Sequence, residues 1–250
     1  MIDNIKDLDE LFEYWKNIWK ERKDTNKYDI SKYVRDGIVN RDAWEEENRK
    51  ILIILKEPND EQGEKTLYND YDLCNTLHKD NKIKKEYATW RNIFLWAYGL
   101  LNTTREKTIE FEEAKKRLDD GNFDNIAILN LKKSYGTATS NMKDIEEFVQ
   151  KDKELILKEI ELINPDIIIT ANIMYLVEMI LPKEQLNKTP KLYDFEHKDW
   201  INEWKNENKS VCIIKHYHPQ ATSCKEIEGL SDEIKYRICC ECFRQYLQVI

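Results

Sequence analysis

Four short aliphatic runs, each stopped by a polar cluster, constrain the fold of this chain more than any other feature. They are KILIILKEP (50–58), FDNIAILNLKKS (123–134), DIIITAN (166–172) and KSVCIIKHYHP (209–219). None alternates apolar with polar residues, as a strand with one wet face would; near-continuous hydrophobicity reads as a strand covered on both sides. Other segments carry helical periodicity. LDELFEYWKNIWKERK puts Leu8, Leu11, Phe12, Trp15, Ile18 and Trp19 on one stripe. ATWRNIFLWAYGLL repeats apolar groups at the same spacing, with Gly99 or Asn102 as its stop, and DIEEFVQKDKELILKEIELIN runs to an Asn-Pro break. Helices alternating with buried strands predict a three-layer α/β/α domain around a mainly parallel, four-stranded central sheet. The 250 residues fit one domain, in which 1–50 form a helical N-terminal extension and 51–245 the core.

Several function classes are disfavoured. A net charge of -8 argues against nucleic-acid binding by bulk electrostatics, although 40 basic residues leave material for a local groove. No apolar run reaches the roughly 20 residues of a spanning helix. The opening MIDNIKDLDELFEYW lacks a signal peptide's basic flank and apolar block, so a cytoplasmic protein, and a monomer, is expected. Six glycines and no glycine-rich phosphate loop argue against a nucleotide cofactor. Cys224, Cys239, Cys240 and Cys242 lack the paired spacing of a zinc or iron-sulfur site, and YRICCECFRQYLQVI reads as a closing helix with buried thiols. Neither metal nor cofactor is expected.

In sheets of this kind ligands bind at the carboxyl ends of the strands. Those ends carry Glu57-Pro58-Asn59-Asp60, Asn130 with Lys132 and Lys133, and His216-Tyr217-His218-Pro219. A carboxylate, an amide and an imidazole together suit hydrolysis or the reading of a base, whereas each alone has a structural use as a cap or turn residue. The charged stretch 182–209 reads either as a solvated connection or as an insertion edging the pocket.

The order of these segments resembles the uracil-DNA glycosylase superfamily over residues 51 to about 245. LKEP is similar to the family's first motif, with Glu57 at the place of the water-activating carboxylate. TWRNIFLW resembles the helix that follows, and IAILNLKKSYG the second strand, which puts Asn130 where the family reads the base edge. LILKEIELINPDIIITAN is similar to the next helix, break and strand, and IIKHYHPQATS to the His-Pro loop, making His218 the counterpart of the catalytic histidine. Leu55 stands where the family has glycine and Gln220 where it has serine.

The resemblance implies a monofunctional DNA glycosylase of the base-excision-repair type, hydrolysing the N-glycosidic bond of uracil or another modified base flipped from single- or double-stranded DNA. Glu57 would steady the sugar cation and orient water, His218 would stabilise the departing base, and Asn130 would pair with its edge. Pro58 and Asn59 would line the base, Tyr68 or Tyr71 would stack on it, and Lys132, Lys133, Lys215 and Gln220 would contact the strand. The rival expectations are an inactive module of the same fold, binding nucleic acid or protein, and a hydrolase of free nucleosides or nucleotides.

Overall fold

The structure, a computed structural model, describes residues 2–22, 24, 27–59, 71–80, 82–136, 139–188, 200–206, 209–223 and 229–250. The chain opens with α1 (Leu8–Glu21), whose side-chain cap Asp7 accepts the Glu10 amide and whose stripe from Leu8 to Trp19 is buried. β1 (Val34–Arg35), β2 (Gly37–Ile38) and α2 (Arg41–Glu46) lead to β3 (Ile51–Leu55). Then come β4 (Tyr71–Asp72), α3 (Leu73–Lys79), α4 (Ile83–Glu86), α5 (Ala88–Asn102), α6 (Phe111–Lys116) and β5 (Ile126–Asn130). α7 (Met142–Ile163) stops at Asn164, whose left-handed backbone and following proline end the helix. β6 (Ile167–Ala171), α8 (Met174–Ile180), β7 (Leu186–Lys188), β8 (Ile201–Asn206), β9 (Lys209–His216) and α9 (Asp232–Val249) complete the fold.

The main sheet has seven strands among the described residues, ordered β2-β5-β3-β6-β9-β8-β7. Its four inner members, β5-β3-β6-β9, are mutually parallel and are the four aliphatic runs of the sequence. They are flanked by antiparallel strands, β2 on β5, and β8 and β7 beyond β9. The expected four-stranded sheet is therefore corrected to a mixed, seven-stranded one. β2, β7 and β8 lie in segments too short or too polar to show the buried-strand pattern, since edge and near-edge strands need no unbroken apolar run.

The inner strands are uniformly aliphatic because both faces of the sheet are covered. Ile51, Ile53 and Leu55 face a core built with α5 and α9, whereas Leu52 and Ile54 face one built with α1, α7 and α8. Close approach on the first face depends on Gly99, where a Cβ would lie 2.4 Å from the Cys240 sulfur and 2.6 Å from the Tyr236 ring. Cys239, Cys240 and Cys242 are buried in α9 as packing groups. The first 50 residues are not a mere extension: Trp15, Trp19 and Trp44 are buried in the second core, and β2 edges the sheet. Likewise 182–209 contains β7 and β8, which build sheet rather than a solvated connection.

Register aligns the strand ends. Leu55 pairs with Asn130, Ile54 with Thr170 and Ala171 with His216, so four strands stop in one row across the sheet. Chain order runs outward in opposite directions from β3, which makes the β3/β6 junction the crevice where such sheets take ligands.

Candidate functional site

At the end of β3 the chain turns at the buried Pro58, and Glu57 is held in place from two sides. Its carboxylate lies 2.7 Å from the Lys132 ammonium, which also sits 2.9 Å from Asp144 on α7. Only 4% of the Glu57 side chain is exposed. On the other side it rests against the backbone of Gly136, where a Cβ would fall 2.0 Å from the carboxylate carbon. Gly136 is pinned there because its amide donates to the Pro58 carbonyl at 2.8 Å, beside a parallel bridge to Asn59. Burial works against the charge on Lys132, but the hydrogen bonds and charges of Glu57 and Asp144 outweigh it and raise its pKa.

Asn130, at the end of β5, is 1% exposed and belongs to a different cluster. One Asp36 oxygen accepts from the Asn130 backbone amide at 2.7 Å and from its side-chain nitrogen at 3.0 Å. The other Asp36 oxygen accepts from Lys133, which also pairs with Glu159 at 2.6 Å, and all three ionisable side chains are fully buried. Burial, partly offset by Lys133 and reinforced by the Asp36 charge, pushes the Glu159 carboxyl well above the usual range. Lys133 is raised, because Asp36 and Glu159 overcome the cost of its burial.

At the end of β9 the groups are neutral. His216 is buried in an aromatic box, its ring centre 4.3 Å from Trp96 and 5.8 Å from Trp200, with Tyr217 beside it. Burial, aided by the Lys235 charge, lowers its pKa to about 3. His218 is half-buried, and burial, then Lys56 and Lys235, lower it to about 4. Its Nδ1 accepts the Gln220 amide at 3.3 Å, so the neutral ring carries its proton on Nε2. The loop is fixed at the Pro219 carbonyl, which accepts from Asn92 at 3.0 Å and from the buried Lys235 at 2.6 Å. Asp232 holds both donors, accepting from Asn92 at 2.8 Å and pairing with Lys235 at 2.9 Å.

Every expected site residue except Tyr68 thus has a definite place. Glu57, Pro58, Asn59 and His218 stand at the aligned strand ends, with Lys56 near enough to His218 to depress its pKa. Asn130 is held in one orientation, because one of its side-chain N–H groups is committed to Asp36. Lys133 is corrected outright as a strand contact: its ammonium is enclosed by two carboxylates and reaches no surface. Lys132 is 11% exposed and serves as the counter-ion of Glu57. Lys215 is half-buried and Gln220 exposed. Tyr71 packs 6.0 Å from Tyr135, next to the Gly136 contact with Glu57, whereas Asp60, Tyr68 and Cys224 lie outside the described residues. A cleft of about 310 Å³ lined by Phe94, Tyr98, Arg117 and Phe123 opens beside Ile126, at the opposite end of the strands.

Sequence reasoning missed Asp36, Glu159, Asn92, Lys235 and Gly136. Asn92 and Lys235 did leave a signal, each being a polar residue on the apolar stripe of its helix, where an unpartnered group would be costly. Among the described residues no cluster of three or more His, Cys, Asp or Glu is arranged for a metal, and no helix is long and apolar enough to cross a membrane. No protein-family model matches the chain, and no curated protein matches it significantly in sequence.

Proposed function

We propose that this chain hydrolyses the N-glycosidic bond of a base flipped out of DNA, with the uracil-DNA glycosylase-like fold that its segment order resembles. The observation that carries the reading is the state of His218. An imidazole whose Nδ1 already accepts a backbone amide, and whose pKa is lowered to about 4, is neutral at pH 7 and carries its proton on Nε2. Such a donor suits a base oxygen that gains negative charge as the bond breaks.

In this reaction the bond from C1′ to the base nitrogen breaks, its electron pair leaves with the base, water adds its oxygen to C1′, and the proton that water sheds ends on the departed base. His218 donates a hydrogen bond to the departing base, and Glu57 faces the positive charge that develops on the sugar. Lys132 and Gly136 fix the carboxylate, as Asn92 and Lys235 fix the imidazole loop, so both groups are preorganised. The order of the four parallel strands and their aligned ends support the fold assignment.

A second reading, a binding module without hydrolysis, is favoured by one observation. Glu57 is 4% exposed and already neutralised by Lys132, which limits both its contact with water and its pull on a sugar cation. The two readings separate in a release assay on single- and double-stranded oligonucleotides carrying uracil, hypoxanthine or modified pyrimidines, with free nucleosides alongside. Abasic sites formed by the wild type establish the glycosylase. Tight binding without release leaves the module, and release from nucleosides alone moves the substrate away from DNA.

A further inference from the structure

We propose that Asp36 is a positioning residue that sets which way the Asn130 amide faces, and thereby the base edge that the site accepts. The inference rests on the reading that Asn130 meets a base. Three N–H donors converge on the two Asp36 oxygens, from the Asn130 backbone, the Asn130 side chain and Lys133. A carboxylate in that position accepts only. Turning the Asn130 amide over would set its oxygen against an Asp36 oxygen at the 3.0 Å now spanned by a hydrogen bond, so the nitrogen is locked inward. Lys133 and Glu159 hold Asp36 itself.

The consequence falls on Asn130 Oδ1, a buried oxygen that accepts no hydrogen bond among the described residues. Buried acceptors are rarely left so, and one at a ligand-binding strand end calls for a donor from the ligand. The amide also keeps a second N–H for an adjacent carbonyl. An acceptor beside a donor matches a ring N–H next to a carbonyl, the lactam edge of a keto base. It mismatches the ring lone pair and exocyclic amine of an amino base. Sequence motifs at the strand ends do not contain this discriminator, since Asp36 lies 94 positions before Asn130.

The test is Asp36→Asn, with Glu159→Gln as a control that alters the same buried cluster without touching Asn130. In Asp36→Asn the new amide directs its oxygen to the Lys133 ammonium and its NH2 toward Asn130, which removes the lock. Two readouts are taken on folded protein. By NMR, the Asn130 side-chain N–H proton bonded to Asp36 is expected downfield in the wild type and in Glu159→Gln, and to move upfield in Asp36→Asn. In release or, failing release, oligonucleotide binding, the preference for lactam over amino bases is expected to fall at least about tenfold in Asp36→Asn and to persist in Glu159→Gln. An unmoved amide proton, an unchanged preference, or an equal loss in the control overturns the proposal. A wild type that shows no base release and no base preference overturns the base-binding reading beneath it, while the amide resonance still shows whether the lock exists.

Discussion

The ends of β5 and β9 stand on either side of β3 and β6 and are stabilised by opposite means. At β5 the chain is held by charge: Lys133 lies between Asp36 and Glu159, and Lys132 between Glu57 and Asp144. At β9 the two imidazoles are kept neutral by burial, and the loop is tied through the carbonyl of Pro219. One side therefore holds a carboxylate and an amide through buried ion pairs, and the other holds neutral rings through burial and backbone hydrogen bonds.

The largest expected effect comes from breaking the charged side. Lys133→Met leaves buried carboxylates without their cation and should cost about 3–5 kcal/mol, read from urea unfolding. Gly136→Ala attacks the same side more locally, because the new methyl occupies the place of the Glu57 carboxylate. It should lower base release roughly 100-fold by displacing that group, and reduce stability by about 1–3 kcal/mol. Wild-type release from the Gly136→Ala protein would mean that the carboxylate's position is unimportant.

On the neutral side the effect is spread over a range of pH. His216 and His218 bind protons in the unfolded chain below their ordinary pKa of about 6.5, but in the fold only near 3 and 4. Their contribution to stability is complete above pH 6.5 and is lost as pH falls through that window, at up to about 1.4 kcal/mol per pH unit for each. His216→Phe should flatten the pH dependence of stability between pH 6 and 4 by about that slope. Asn92→Ala removes one of the two donors at Pro219 and should cost about 1 kcal/mol, with Lys235 retaining the loop.

The two sides also differ in how far they can be read from the sequence. Aliphatic runs ending in Glu57, Asn130 and His218 are local patterns, and the inner parallel strands follow them. Antiparallel β2, β7 and β8 are short or polar and are specified by the neighbours they pair with, which no local window contains. The partners of the site residues are non-local in the same way. Lys132 and Lys133 look alike in sequence, two adjacent lysines after a strand, yet one borders the site and the other is sealed beneath it. Asp36 and Glu159 seal in Lys133, whereas Glu57 and Asp144 hold Lys132 at the edge, and all four lie at a distance along the chain. Gly136 gives no sign of its role until the carboxylate it touches is placed.

Glu57 and His218 acting on one base is the central claim, and a double-mutant cycle on single-turnover base release tests it most directly. Glu57→Ala and His218→Ala should each slow release by about 100-fold or more. The double variant should lose less than the product of the two, because both groups serve one transition state. Release that persists at the wild-type rate in either single variant, or losses that multiply in full, would contradict a shared site at the ends of β3 and β9.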